Sequence, residues 1–300
     1  MFPDLSIIVV NWNLLDDTIE CIDSLLKAGA SLNQIIIVDN GSTDGSITGL
    51  RDYYQAQIFI ITVKENIGYA AGANLGIQYA LTQNYEWLLL LNNDTIVAAD
   101  FIKNMYQATQ NNNGYSILTP IIFYQSNPSI IWYQGERQIG NTLLTIDKYK
   151  NRKIKQNLPK FFPIDFTNGC AMLVSRKVFE KIGFLDESFF MYGEEVDFCW
   201  RARLDGFKFA CYTPAHIWHK ISKSSQGSQP MSRYLRIRNQ IYFYKRYTHG
   251  FEILTYFVFT LIRTVKLCII DLLKGHITLI PPSILGWSDG WFDYPPAKNN

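Results

Sequence analysis

Three hundred residues (34.6 kDa) exceed the usual single-domain size, and 48% apolar against 18% charged residues supplies a sizeable core and excludes long disorder. The net charge of +2 conceals opposed ends: residues 1–100 hold 3 Lys/Arg against 12 Asp/Glu, whereas residues 220–300 hold 11 against 4. The basic residues of the tail lie in an apolar, aromatic stretch, which argues for an anionic surface or ligand and against a nucleic-acid partner.

In chain order, Leu5–Val10 is a short β-branched run of the kind that forms a buried parallel strand. A helical pattern follows from about Asp16, with Ile19, Ile22, Leu25 and Leu26 on one face and Gly29 as its stop. Ile35–Val38 predicts a second strand, Ser46–Tyr54 a short helix capped by Ser46, Ile58–Val63 a third strand and Ala71–Leu81 a third helix. Trp87–Leu91 predicts a fourth strand, cut off by Asn92-Asn93-Asp94. Four such alternations define an α/β class with a mostly parallel sheet and helices on both faces.

From Ser116 to about Asp165 the prolines at 120, 128, 159 and 163 and the basic stretch Lys148–Lys160 read as irregular strands and a mobile loop. Ala171–Val174 predicts a strand and Arg176–Lys181 a short helix. Glu194–Leu204 predicts a helix with Val196, Cys199, Trp200 and Leu204 on one face, and Phe207–Tyr212 a strand broken by Pro214. Beyond lie alternately apolar and basic helical turns. The longest apolar run, Ile253–Ile262, is closed by Arg263, so no stretch is expected to approach the roughly 20 apolar residues of a spanning helix. Five scattered cysteines without a CxxC fit a reducing compartment, with neither a disulfide framework nor a zinc site. The opening residues lack the basic and apolar regions of a secretory signal, and a cytoplasmic location is expected.

The polar residues that interrupt this pattern cluster at strand ends, where open α/β sheets place ligands. Asn11, Asp39 and Asp94 each follow an apolar strand; singly each reads as a turn or cap, but together they point at one crevice. Gly68, Gly72 and Gly76, four apart, suit close helix packing and do not form a dinucleotide fingerprint, and no Gly-Lys dipeptide occurs for a phosphate loop. Asp94 supplies one carboxylate for a metal such as Mg²⁺, which fills the rest of its shell with phosphates and water. Glu194, Glu195 and Asp197 open a helix; they are either dipole-favourable acids or a general base whose pKa its neighbours raise. His216 and His219 flank Ile217-Trp218 just before Lys220.

In this order these pieces resemble family 2 glycosyltransferases of the GT-A fold, most closely the rhamnosyltransferase-like and galactofuranosyltransferase-like branch. The matching segments are Val9–Asn13, Val38–Ser46, Glu65–Asn74, Leu91–Asp94, Gly169–Leu173 through Gly183–Glu187, Gly193–Asp197 and Trp218–Lys220, spanning roughly residues 5 to 245. The resemblance implies a nucleotide-sugar donor (dTDP-, UDP- or GDP-linked), Mg²⁺ or Mn²⁺, and transfer with inversion to a hydroxyl of a glycan or polyprenyl-linked acceptor. Rhamnose or another hexose is the implied sugar, and cell-surface polysaccharide the implied product. By position, Asn11 and Asp39 hold base and ribose with Asn66 nearby, and the donor set extends to Asn74, Asn93, Asp94 and Lys220, with Lys223 as a further cation. Asp94 and His219 match the metal ligands. Glu195 matches the catalytic base, with Glu194 and Asp197 beside it. Two positions depart from the family: Asn92 stands where many relatives carry the first Asp of the metal motif, and Glu195 where Asp is common.

Residues 1–230 are thus expected to form a GT-A, Rossmann-like catalytic domain and residues 231–300 a helical, basic–apolar extension. That extension either packs across the catalytic domain or anchors the protein peripherally at the inner face of the plasma membrane, through Phe251, Ile253, Leu254, Phe257, Val258 and Leu261. A homo-oligomer is compatible with the chain. Two competing readings are a sugar nucleotidyltransferase, disfavoured because residues 1–26 contain no Lys or Arg, and a non-catalytic glycan- or membrane-binding homologue.

Overall fold

The computed structural model describes residues 2–111, 113–155, 157–221 and 230–293. The chain divides into two compact units: residues 1–187 with 198–220, and residues 188–197 with 221–300.

The first unit begins with β1 (Leu5–Asn11), α1 (Leu15–Lys27), β2 (Ile35–Asp39), α2 (Ser46–Tyr53), β3 (Phe59–Thr62), α3 (Tyr69–Thr82) and β4 (Trp87–Asn92). Next come β5 (Thr95–Val97), α4 (Phe101–Gln110), β6 (Ile117–Tyr124), β7 (Asn127–Tyr133), a small ladder of β8 (Arg137–Gln138) and β9 (Thr145–Ile146), and β10 (Phe161–Ile164). β11 (Ala171–Ser175), α5 (Arg176–Ile182), α6 (Glu194–Leu204) and β12 (Phe209–His219) complete it, the first turn of α6 being assigned to the second unit.

The main sheet runs β10-β12-β6-β11-β4-β1-β2-β3, with β5 on β12 and β7 on β6. β1 to β4 are mutually parallel where they pair, while β11 runs antiparallel to both β4 and β6. β1, β2 and β4 are almost continuously buried because helices cover both faces, which is why their sequences are unbroken apolar runs. α3 lies close against β1: a Cβ at Gly76 would come within 2.5 Å of Ile8 Cγ2, and one at Gly72 within 3.3 Å of Val10 Cγ1. Gly68 instead takes φ +91° at the helix start. Successive strands proceed outward from β1 to β3 and then return to its other side with β4. The switch point therefore falls between β1 and β4, the place where such sheets leave a crevice.

Several sequence expectations are corrected. Ile117–Tyr124 is one continuous, buried strand in mid-sheet despite Pro120, and its irregularity lies in register: the pairing with β12 shifts just after Pro120 and that with β7 shifts between Ile122 and Tyr124, while its pairing with β11 stops at Leu118, so the proline falls beyond that ladder. β12 continues through Pro214 to His219, absorbing the proline in a register shift against β6 between Tyr212 and His216. Asn151–Lys153 is docked and not a free loop: Ile131 N donates to Arg152 O at 2.8 Å, and Tyr124 donates to Asn151 at 2.7 Å. In α6 the buried residues are Glu194, Asp197, Phe198, Cys199 and Ala202, whereas Leu204 is 69% exposed. The acids share the buried stripe, so hydrophobic spacing misplaces it. Ser46 is the first residue of α2 and not its cap: Gly45 takes the cap position at φ +83°, and Asp44 before it accepts from Ser46 N at 3.0 Å.

The second unit contains α7 (Pro230–Tyr247), α8 (Glu252–Leu273) and α9 (Ile280–Phe292). α9 meets α7 through small residues: a Cβ on Gly286 would come within 2.6 Å of Tyr234 O, and one on Gly290 within 2.8 Å of Ile241 Cβ. α8 does not stop at Arg263. It runs 22 residues, with a mean hydropathy of 1.9 over an 18-residue stretch, long and apolar enough by length and composition to cross a membrane, against the sequence expectation.

Candidate active site

Parallel pairing of β1 with β2 sets Asn11 directly opposite Asp39, the last residue of each strand. Both side chains are 0% exposed. Asn11 Nδ2 donates to Asp39 Oδ1 at 2.8 Å and to Ser42 Oγ at 3.1 Å, while Ser42 N donates to Asp39 Oδ2 at 3.0 Å. The other end of the Asn11 amide accepts from Thr18 Oγ1 at 2.7 Å and from Asn93 Nδ2 at 3.2 Å. This satisfied network spans the ends of β1, β2 and β4 and holds the Asp39 carboxylate rigidly, with an acceptor lone pair remaining on each oxygen. A second amide pair lies beside it: Asn40 Nδ2 donates to Asn66 Oδ1 at 3.1 Å, and Asn66 accepts from Gly68 N at 2.9 Å. Gly41 takes φ +74°, and a side chain there would strike the backbone of Glu65, so the turn admits only glycine.

Asp94 and His219 meet because β5 and β12 pair antiparallel with Thr95 opposite His219. His219 Nε2 lies 3.0 Å from Asp94 Oδ1, both residues are 3% exposed, and Lys220 N donates to Asp94 O at 2.9 Å. Burial opposes a charge on the imidazole, but Cys170 and the Asp94 carboxylate outweigh it and push His219 up to about 10. Burial also raises the Cys170 thiol, which the neighbouring His219 opposes. The Nδ1 atom of His219 is buried, with no nitrogen or oxygen partner among the described residues. Trp132 packs edge-on against the ring at 4.5 Å between centroids.

This donor pair fits a divalent cation. Two atoms 3.0 Å apart have the spacing of adjacent ligands in an octahedron with bonds of about 2.1 Å. No cluster of three His, Cys, Asp or Glu occurs among the described residues, so water and phosphate oxygens would complete the shell. The cation would replace the proton that Asp94 now stabilises on His219.

Two other residues expected at the donor are engaged within the protein. Asn74, on α3, donates to Leu185 O at 3.0 Å and to Glu187 Oε1 at 2.8 Å, and accepts from Leu185 N at 3.1 Å. Lys220 Nζ lies 2.5 Å from both Asp17 and Glu20 of α1. Burial opposes its charge, yet these two acids raise its pKa. His216 sits on the opposite face of β12 from His219, bonded through Nε2 to Thr213 O at 2.9 Å. Lys223 lies outside the described residues.

In the second unit, the acidic turn is built from a strained loop. Phe190 and Tyr192 take φ values of +62° and +70°, a region costly for side chains of this size, followed by Gly193 at +105°. Asn239 on α7 holds the loop, with Nδ2 at 2.8, 2.9 and 2.6 Å from the carbonyls of Phe189, Met191 and Tyr192. Gly193 N then donates to Glu195 Oε2 at 3.0 Å. Glu194 is 4% exposed; burial first and the Glu195 charge second raise its pKa well above the ordinary value. Glu195, half-buried, is also raised by burial, against the lowering effect of backbone N–H groups and Arg236. Asp197 is 0% exposed, and its Oδ1 accepts from Arg246 at 2.7 Å and Tyr247 at 2.8 Å. Sequence reading missed Asn239, Arg246 and Tyr247; only their place in a basic–aromatic helix marked them.

A parallel-centred mixed sheet with polar side chains gathered at its switch point is the GT-A arrangement. Residues 6–183 match the model of glycosyl transferase family 2. The chain is 32% identical over 243 residues to the low-salt glycan biosynthesis hexosyltransferase Agl10 of Haloferax volcanii, covering 80% of this chain and 75% of that one. It is 26% identical to the dTDP-rhamnosyl transferase RfbF of Shigella flexneri, covering 85% of each. The fold matches the mannosyltransferase PcManGT of Pyrobaculum calidifontis, solved with GDP-Man and Mn²⁺, at a TM-score of 0.58 and 12% identity over 97% of this chain and 87% of that one. The chain belongs to glycosyltransferase family 2.

Proposed function

We propose that this glycosyltransferase moves a hexosyl or rhamnosyl group, with inversion, from a nucleoside-diphosphate donor to a hydroxyl of a glycan or lipid-linked acceptor. The observation that carries this reading is the buried Asp94–His219 pair next to the Asn11–Asp39–Asn93 network at one end of the sheet. The names of two relatives, a hexosyltransferase and a dTDP-rhamnosyl transferase, support the sugar class, and a structural relative bound GDP-Man and Mn²⁺.

In this reading Asn11, Asp39, Asn66 and Asn93 bind the nucleoside, and their mutual hydrogen bonds pre-organise them. Asp94 and His219 hold Mg²⁺ or Mn²⁺, which when bound neutralises the charge developing on the leaving diphosphate. Asn74 and Lys220 act as positioning residues, the first through the 185–187 turn and the second by fixing the end of β12 to α1. Glu195 accepts the proton of the acceptor hydroxyl as that oxygen attacks the anomeric carbon from the face opposite the diphosphate. The new glycosidic bond forms as the bond to the diphosphate breaks. Burial raises Glu195 toward working pH, where a general base is most effective. Glu194 adds like charge beside it, and Asp197 anchors the turn. Synthesis of a cell-surface polysaccharide at the inner face of the plasma membrane is the setting that such an acceptor implies.

Glu195→Gln tests the assignment. Transfer is expected to fall by about 100-fold or more while donor affinity stays near that of the parent protein. Wild-type turnover in this variant would remove Glu195 from the mechanism.

A further inference from the structure

Helix α8 is built inside out. The side it turns toward its own unit is polar: Thr260, Thr264 and Asp271 are buried, Asp271 pairs with Arg233 at 2.7 Å, and Thr260 accepts from the indoles of Trp287 and Trp291 at 3.2 and 3.0 Å. The opposite side is apolar and open, with Leu254, Val258, Leu261, Val265, Ile269 and Leu272 all exposed at helical spacing. A helix facing water shows the reverse arrangement. α9 extends this surface with Ile284 and Leu285, both more than half exposed, and an apolar groove of about 440 Å³ runs between Val265 and Ile269 of α8 and Ile284 of α9.

Charge borders the surface on one flank. Arg263 and Lys266 are exposed beside the apolar arc, and Lys274 and His276 follow the end of α8. Of the two acids on α8, Asp271 is buried, leaving Glu252 alone exposed at the first residue. A continuous apolar face edged by cations matches the interior of one leaflet below anionic head groups, where the apolar arc meets acyl chains and the basic side chains reach phosphate.

We propose that α8 and α9 form an in-plane anchor in an anionic membrane surface, with Leu261, Val265 and Ile269 among the acyl chains and Arg263, Lys266 and Lys274 at the head groups. The helix lies along the surface and does not cross it. Its length permits crossing, but Arg263 and Lys266 fall in the middle of the 22 residues and would then sit in the centre of the hydrocarbon. This inference is independent of the donor, the metal and the catalytic base.

Flotation of the full chain with sealed vesicles tests it. The protein is expected to float with vesicles containing about one third phosphatidylglycerol and far less with pure phosphatidylcholine. The double variant Leu261→Glu/Val265→Glu is expected to remain unbound while keeping the parent circular dichroism spectrum and melting temperature, since both side chains are exposed. Arg263→Gln/Lys266→Gln should lose the preference for anionic vesicles and keep weak binding to both. Protease added outside should cleave the vesicle-bound chain on both sides of α8. Three results would overturn the proposal: no flotation with either vesicle, a C-terminal fragment protected inside the vesicles, or a solution dimer that Leu261→Glu/Val265→Glu splits. The last would give the face to a second copy of this chain.

Discussion

Replacing Asn239 with alanine removes the side-chain amide that α7 directs at the carbonyls of Phe189, Met191 and Tyr192. Two N–H groups serve three acceptors, so two full hydrogen bonds and one shared one are lost, together about 2–3 kcal/mol at roughly 1 kcal/mol each. Against this stands the strain of Phe190 and Tyr192 at positive φ, about 1–3 kcal/mol for each residue. Once the amide is gone the loop can relax toward ordinary dihedrals and recover part of that strain, so the two effects oppose each other and global stability should change by no more than about 2 kcal/mol in either direction. Function should suffer more, because the relaxed loop no longer presents Gly193 N to the Glu195 carboxylate. Misplacing a reacting group by about 1 Å costs about 100-fold. The assay is kcat and KM for donor and acceptor alongside urea denaturation. The expected result is kcat down about 100-fold, donor KM within about twofold and stability within about 2 kcal/mol of the parent protein. Wild-type kcat, or a stability loss above about 4 kcal/mol with kcat unchanged, would show that Asn239 supports the fold and does not position Glu195.

Two further variants probe the same turn. Arg246→Met removes the guanidinium from the fully buried Asp197 carboxylate, which keeps the Tyr247 hydroxyl, and should cost about 3 kcal/mol at neutral pH by denaturant unfolding. Adding Asp197→Asn should recover most of that loss, because the penalty is the uncompensated charge; no recovery would place the energy in packing instead. Glu194 carries a raised pKa, so its contribution to stability is fully present below its unfolded value of about 4.3 and is lost as pH rises through the folded value. Glu194→Gln should therefore flatten the decline of melting temperature with rising pH and be the more stable protein at neutral pH. An unchanged slope would show that Glu194 is ionised at little cost.

Strands β1, β2 and β4 were legible because helices cover both faces of the sheet there, so buried parallel strands are nearly continuous apolar runs and their polar terminators stand out. That contrast also revealed Asn11, Asp39 and Asp94. β6 and the far half of β12 were hidden by Pro120 and Pro214, which a ladder end and a register shift accommodate in ways local sequence does not encode. The buried face of α6 was misread because Glu194 and Asp197 occupy it beside Phe198 and Ala202. α8 was cut short at Arg263, a residue that the helix carries on its flank while its apolar arc continues on the other side. The resemblance places Asn74 and Lys220 at the donor, while their partners within the chain, the 185–187 turn and α1, are remote in sequence and so invisible in it. Asn239 and Arg246 carried no signal, since an isolated amide or guanidinium in a basic helix has no meaning until the loop it holds is known.

The central claim, a nucleoside-diphosphate site completed by a cation on Asp94 and His219, is tested most directly by calorimetric titration of the purified protein. UDP, dTDP and GDP would each be added with and without Mn²⁺, to the parent protein and to Asp94→Ala. At least one nucleotide is expected to bind in a Mn²⁺-dependent manner, and Asp94→Ala is expected to abolish the Mn²⁺-dependent part. Binding equal with and without Mn²⁺, or undiminished in Asp94→Ala, would contradict the central claim.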